Sequence, residues 1–394
     1  MHLIFVTHAY PREDGDVAGA FVERLVVTLR ARGHTLTVVA PADGRSRRRE
    51  QRNGVEIVRA RYAPSRWETL AYRGTMVEEA ATPGGALRAA SLMVAQARAI
   101  RRAARLEPTD VVHAHWWVPG GVSAWMARLA QGPRYVITLH GTDVAILERS
   151  RLARTLARRV LRGAAAVTAV SSYLAERAAA IVGLDPQSIV VQPMPADLVQ
   201  LSRTSVGGGG IVTVGRLVGQ KRIDVVLEAL ARLRRQGREL CLTIIGDGPL
   251  REPLKEHAER LGIANATRFL GQVEPSGLSD AIGDADVFVF PAVGEGLGLA
   301  AAEALILGIP VVATRGGGGV VDIVPATGAG RIVAEGEPGQ MAQAIAEVLN
   351  DPEARSLAVE AGRRLKQRLA PGRVAATFED VYRRVSDQAA HQNA

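Results

Sequence analysis

The chain has 394 residues, 47% of them hydrophobic and 23% charged, a balance that excludes wholesale disorder and leaves material for two or three buried cores. Its 49 Lys and Arg exceed 40 Asp and Glu by nine charges, and only Lys221, Lys255 and Lys366 are lysines; such a surface favours anionic partners (phosphates, nucleic acid, acidic lipid) without choosing among them. The 41 Gly and 19 Pro follow no period, which excludes collagen, and the single Cys241 excludes an internal disulfide framework and fits a reducing cytosol.

From the start, residues 2–7 read as a first strand. They end at His8 and Pro11 and lack the basic leader and apolar length of a signal peptide. No apolar run approaches the roughly 18 residues of a spanning helix. Further strands are expected over 35–40, 55–59, 110–114, 135–139, 165–170 and 188–192. Helical patterns lie between them at 20–32, 87–106, 150–161 and 172–181, with Gly33 closing the first. This alternation signals βαβ units around a parallel sheet. Pro193-Met-Pro195 and Gly207–Gly210 interrupt it, which places a hinge linker at 196–210. The alternation restarts with strands near 211–214, 241–245, 267–270, 286–290, 310–313 and 331–333. The expected organisation is an N-terminal Rossmann-like domain over 1–195, a second over 211–371, and a C-terminal helix and tail over 372–394 that packs back on the first domain. Two such α/β sheets would face an interdomain cleft, with ligands at the strands' carboxyl ends.

The chemistry concentrates in two loops of the second half. Pro291-Ala-Val-Gly294-Glu295-Gly296-Leu297-Gly298 follows an apolar strand and opens a helix. Its glycines allow close backbone approach, and its amides form an anion site at a helix N-terminus. Glu303 follows among Ala, Leu and Ile, where a carboxylate is costly unless it is hydrogen-bonded. A sugar or ribose diol offers such hydrogens; a pairing with some arginine at the edge of the core would serve as well. Gly215-Arg216-Leu217 with Lys221 again follows a strand. Arg216 can bind a diphosphate bidentately and Lys221 supplies a point charge, though cations beside a loop are often only solvated. No Walker loop is present.

These residues resemble the nucleotide-sugar-dependent retaining glycosyltransferases of the GT-B fold, the Glu-x7-Glu group typified by bacterial cell-surface glycan and phosphatidylinositol mannosyl transferases. Glu295 and Glu303 match the Glu-x7-Glu element, and Gly215, Arg216, Leu217 and Lys221 the Gly-Arg-Leu…Lys element. Gly246-Asp-Gly248-Pro matches a third marker, and Gly316–Gly319 with Asp322 a glycine loop that often ends in Glu. Gly15–Phe21, including Gly19, occupies the place of the Gly-rich loop after the first strand. The hinge departs from the usual Pro-Asn-Gly-Val-Asp, reading Pro193-Met-Pro-Ala-Asp197.

The resemblance implies a nucleotide-diphosphate sugar as co-substrate, no further cofactor and no metal. His140, in Leu139-His140-Gly141-Thr-Asp143, would lie against the donor sugar. Glu295 would bind sugar hydroxyls and Glu303 the nucleotide ribose, while Arg216, Lys221 and helix amides would stabilise the leaving diphosphate. Gly19, Gly215, Gly248, Gly296, Leu297 and Gly298 would complete the donor site. Asp143, His115, Trp116, Trp67 and Tyr72 are the acceptor-side candidates, for a saccharide or lipid-linked acceptor in cell-envelope or exopolysaccharide synthesis.

Other signals carry less. His113, His115 and His140 could form a metal site, but a loop-facing or acceptor-side role fits the first two better. Asp14-Gly-Asp16 and Asp284-Ala-Asp286 read as turn chemistry, and Cys241 as a core residue that begins a strand. Arg45, Arg47, Arg48, Arg49 and Arg52 read as a basic loop. Arg149, Arg151, Arg154, Arg158, Arg159 and Arg162 line a helix whose other face is apolar. That helix reads either as a solvated face or as peripheral attachment of a cytoplasmic protein to the anionic inner leaflet. Rival functions are a sugar-nucleotide epimerase and a Rossmann oxidoreductase, whose Gly-x-Gly-x-x-Gly is missing after the first strand. A nucleic-acid binder is suggested by charge alone, and no binding motif supports it.

Overall fold

A computed structural model describes residues 1–16, 18–73, 75–196, 208–273, 277–324 and 329–393. The hinge expected over 196–210 falls mostly on 197–207, which lie outside the described residues. The contacts divide the chain into two units, Met1–Ala196 with Pro371–Ala394, and Asp197–Ala370.

The first unit holds one sheet in the order β3-β4-β2-β1-β5-β6-β7-β8. Its strands are β1 (His2–Val6), β2 (Thr35–Pro41), β3 (Arg49–Arg52), β4 (Val55–Ala60), β5 (Val111–His115), β6 (Tyr135–Leu139), β7 (Ala166–Ala169) and β8 (Ile189–Val191). Every pair is parallel except β3 with β4. Strands β1, β5 and β6 are buried at every residue, as a parallel sheet covered on both faces requires. The strand order reverses between β1 and β5, so the loops that leave them open side by side.

Strand β3 corrects the expected basic loop over 45–52. Its side chains are polar throughout, so no alternation announces it. It is an edge strand held by the ladder and by Arg49 against Glu56 at 3.0 Å. The helix Pro371–Asn393 belongs to this unit: Val374, Phe378, Val381, Tyr382 and Val385 join its core. Glu379 on that helix accepts from Arg32 at 2.7 and 2.8 Å and pairs with His34 at 3.0 Å. These partners, Arg32 foremost, outweigh the cost of burial and pull its pKa down to about 2.

The second unit holds six parallel strands in the order β11-β10-β9-β12-β13-β14. They are β9 (Ile211–Val214), β10 (Leu242–Ile245), β11 (Thr267–Gly271), β12 (Val287–Phe290), β13 (Val311–Thr314) and β14 (Gly330–Val333). The helices Ile223–Arg235 and Pro338–Asn350 pack on it, with Val226, Leu230, Met341 and Ile345 fully buried. The order reverses at β9 and β12, which again sets neighbouring loops together. Cys241 precedes β10 and is exposed, a correction to the core position expected for it. Among the described residues, no helix is long and apolar enough to cross a membrane.

Candidate active site

In the second unit the loops after β9, β10, β12 and β13 are stitched by backbone. The amide of Leu217 donates to the carbonyl of Asp247 at 2.9 Å, and that of Leu250 to Leu217 at 3.1 Å. The amide of Val293 donates to Gln220 at 3.0 Å and that of Gly294 to Gly316 at 2.7 Å. Glycine is required where these loops touch. A Cβ on Gly246 would be driven into the carbonyl of Gly215, and one on Gly318, at φ 75°, into that of Glu295. A Cβ on Gly248 would meet the Leu217 backbone, and one on Gly215 would press the Lys221 methylenes at 3.2 Å.

This stitching places Lys221 Nζ 2.7 Å from Glu295 Oε1, both side chains partly open to solvent. Arg216 lies exposed on the same loop as Lys221. Gly296 is partly buried and Leu297 buried. Gly298, at φ 83°, caps the helix Leu299–Ile306 without a side-chain hydrogen bond, so its first amides remain free for an anion. Glu303 sits one turn in, half-buried, and its carboxylate has no hydrogen bond or ion pair among the described residues. A pairing with arginine, one of the two readings of this residue, is not found. Desolvation pushes its pKa up to about 7.

In the first unit the carboxyl ends of β1, β5 and β6 gather imidazoles. His115 Nδ1 lies 3.0 Å from His140 Nε2, and the Trp116 ring stacks on His140 at 4.2 Å. His8 also meets Trp116, edge-on at 3.9 Å. His8 and His140 keep some accessible surface, yet the protein around them leaves little water. Burial lowers His8 to about 4 and His113 to about 3, and takes His115 and His140 well below the ordinary value, so all four are neutral near pH 7. His113 is not loop-facing, as had been expected. It is buried, with Nδ1 2.7 Å from Tyr382 Oη and Nε2 2.7 Å from Thr138 Oγ1.

The acceptor-side candidates separate. Trp116, Tyr72 and Asp143 line a cavity of about 430 Å³ together with His8, and Gly19 lies on its wall. Asp143 is committed to its loop: its carboxylate accepts from the amides of Trp117, His140, Gly141 and Val144 at 2.9–3.1 Å. His115 is fully buried behind His140, and its Nε2 has no partner. Trp67 lies elsewhere, half-exposed on the turn Ser65–Trp67 with the Arg66 guanidinium 5.1 Å from its ring. The sequence reading missed His8 and Arg59. The first follows the carboxyl end of β1, which is a usable signal. Arg59 is an arginine inside β4, and only the fold reveals its burial. Among the described residues, no group of three or more His, Cys, Asp or Glu is placed to hold a metal ion.

Two open sheets, the first parallel but for its edge pair and the second parallel throughout, each with its polar loops at the point of strand reversal, define a Rossmann-like pair of the GT-B type. Sequence models agree: residues 207–365 match the group 1 glycosyl transferases and residues 18–195 the glycosyl transferase 4-like domain. The chain belongs to the GT-B glycosyltransferases of family four. Over 388 residues it is 28% identical to the GDP-mannose-dependent alpha-(1-6)-phosphatidylinositol monomannoside mannosyltransferase of Mycolicibacterium smegmatis, covering 92% of each chain. It is also 28% identical to the 2-deoxystreptamine glucosyltransferase of Streptomyces kanamyceticus over 65% of this chain and 72% of that one. Among solved structures, sucrose-phosphate synthase from Thermosynechococcus elongatus superposes with a TM-score of 0.76 at 19% identity, covering 98% of this chain and 99% of that one. Anabaena HepE in complex with UDP superposes at 0.71 and 17%, covering 97% and 99%. The chain is therefore a glycosyltransferase, an enzyme of glycan synthesis.

Proposed function

We propose that this chain is a retaining hexosyltransferase that moves a sugar from a nucleotide-diphosphate donor to a saccharide or lipid-linked acceptor in cell-envelope or exopolysaccharide synthesis. The observation that carries this reading is the set Lys221, Glu295 and Arg216 on loops held together at the strand reversal of one sheet, with Glu303 one turn into the helix that follows. The bond from the anomeric carbon to the phosphate oxygen breaks and its electrons go to the diphosphate. Arg216, Lys221 and the amides beyond Gly298 stabilise that growing charge. The acceptor hydroxyl forms the new bond on the same face, and its proton passes to the leaving phosphate oxygen. Glu295, oriented by Lys221, receives sugar hydroxyls. Glu303 receives the ribose diol, which supplies the two hydrogens that its half-buried carboxylate lacks.

Two names support a nucleotide donor: the mycobacterial relative is GDP-mannose-dependent and the HepE structure holds UDP. A helix over Arg151–Arg162 exposes Arg151, Arg158, Arg159 and Arg162 together with Leu152, which is 80% exposed. This supports peripheral contact of a cytoplasmic enzyme with anionic membrane. Thermal denaturation against UDP, GDP, ADP and TDP sugars tests the donor reading. One sugar nucleotide should stabilise the fold by about 2.7 kcal/mol at a hundredfold excess over its Kd. No shift with any of them would defeat it.

A further inference from the structure

The cavity of the first unit has a composition that a saccharide does not suit. Of its 430 Å³, most is enclosed by apolar side chains, among them Phe21, Leu70, Met76, Leu92, Met93 and Ile146. Nearly every polar side chain on its wall is already spent. The Tyr72 hydroxyl accepts from buried Arg59 at 2.9 Å and donates to the Pro41 carbonyl at 2.9 Å. Trp116 Nε1 donates to Thr142 Oγ1 at 3.2 Å. The Asp143 carboxylate is filled by backbone amides. Thr142 keeps its own hydroxyl hydrogen, but at an exposed position on the rim.

His8 is the exception. Its ring has no hydrogen-bonding partner among the described residues, and it stands against Trp116, whose ring also stacks on His140. The apolar space therefore ends at one uncommitted imidazole, one ring away from the pair His115 and His140. A sugar placed in this space would leave several hydroxyls unpaired, each at about 1–3 kcal/mol. A hydrocarbon body would leave none.

We propose that this cavity takes the apolar body of the acceptor, a hydrocarbon chain or ring system, with its hydroxylated head at His8. The inference rests on the sugar-transfer reading above and narrows it: the acceptor is an amphiphile, and the enzyme discriminates by what carries the head. Arg59 is a positioning residue here, since its guanidinium ties Tyr72 to the carbonyls of Tyr10 and Pro11 and so fixes one wall.

Isothermal titration of the full chain with methyl, butyl, hexyl and phenyl glucoside tests this. Affinity should climb about three- to fourfold per buried methylene and at least tenfold from methyl to hexyl. Phenyl glucoside exceeding hexyl would assign a ring, and the reverse a chain. Ala89→Phe, or Ala80→Phe on the half-exposed short helix Met76–Ala80 should the first fail to fold, fills the space and should abolish the gain. Thermal stabilisation by the sugar nucleotide should be unchanged in either variant. Equal affinity for methyl, hexyl and phenyl glucosides, or wild-type affinity in a folded filled variant, overturns the proposal. Failure of every sugar nucleotide to bind the same preparation overturns the donor reading instead, and leaves the cavity result to stand on its own.

Discussion

The two units place polar groups at equivalent points of their sheets and treat them in opposite ways. In the first, imidazoles at the reversal between β1 and β5 are stripped of water and held neutral. In the second, the Lys221–Glu295 ion pair and Arg216 at the reversal between β9 and β12 stay open to water. A neutral desolvated ring can orient a hydroxyl without attracting an ion. Charges in open glycine loops can receive an anion without a large desolvation cost. One topology thus supports two kinds of recognition, and burial decides which.

The sharpest way to break this contrast is to remove the charge. Lys221→Ala should lower sugar transfer by about 10²–10³-fold with an unchanged circular dichroism spectrum, as loss of an electrostatic stabiliser of the leaving group does. Glu303→Ala should likewise abolish turnover, chiefly through lost donor binding. Wild-type rates in a folded variant would remove the role given to that residue.

The backbone offers the next largest effect. Gly318→Ala forces a side chain into the Glu295 carbonyl at a positive φ and should cost the second unit about 2–4 kcal/mol. Gly219→Ala, at a position with nothing within 4 Å, should change stability by no more than about 0.5 kcal/mol. Urea unfolding of both separates a packing requirement from general intolerance of the loops.

Smaller, and closer to the comparison itself, is the response to pH. The four imidazoles have folded values below their ordinary one, so the stability they confer is present above pH 6.5 and is lost as pH falls toward 4 and 3. Glu303 has a folded value near 7, above its ordinary 4.5. Its contribution is fully present below pH 4.5 and is lost as pH rises through 7. Tryptophans 67, 116, 117 and 125 all lie in the first unit, so their emission reports that unit alone. Its urea midpoint should fall between pH 7 and 5, while a circular-dichroism component from the second unit falls less or rises. Parallel shifts would show that burial does not separate the two sites. Donor affinity should also rise with pH up to about 7 and then level off. That dependence should flatten in Glu303→Gln, which titration calorimetry with the sugar nucleotide would read.

Smallest is the contact of the last helix. Glu379→Gln should cost about 1–3 kcal/mol by leaving Arg32 and His34 without their carboxylate. In the wild type the same stability should be lost as pH falls from 4.5 toward 2. An unchanged melting temperature at pH 7 would show that the helix is held by its apolar face alone.

Much of this was legible in the sequence. Each strand expected from short β-branched runs is present, because parallel strands buried on both faces write themselves as apolar runs. The motif glycines marked loops because close backbone contacts such as Gly246 on Gly215 admit nothing larger. What stayed hidden depends on distant pairings. The polar edge strand Arg49–Arg52 exists through its ladder, and the His113 contact with Tyr382 joins residues 269 positions apart. The cavity could not be read because its apolar walls look, in sequence, like any core.

The last helix also bears on the order in which the protein is made. Phe378, Val381 and Tyr382 belong to the core of the unit whose other residues, 1–196, precede the second unit in the chain, so the whole second unit is encoded between the two parts. During synthesis the later-encoded unit has all its residues while the earlier one still waits for its closing helix. His113 and the apolar surface that receives Phe378 then stay uncovered until the helix Pro371–Asn393 emerges. A ribosome stalled once residue 370 has left its exit tunnel, with the helix that begins at Pro371 still inside, would hold a finished second unit and an open first one, the reverse of the usual amino-terminal-first sequence.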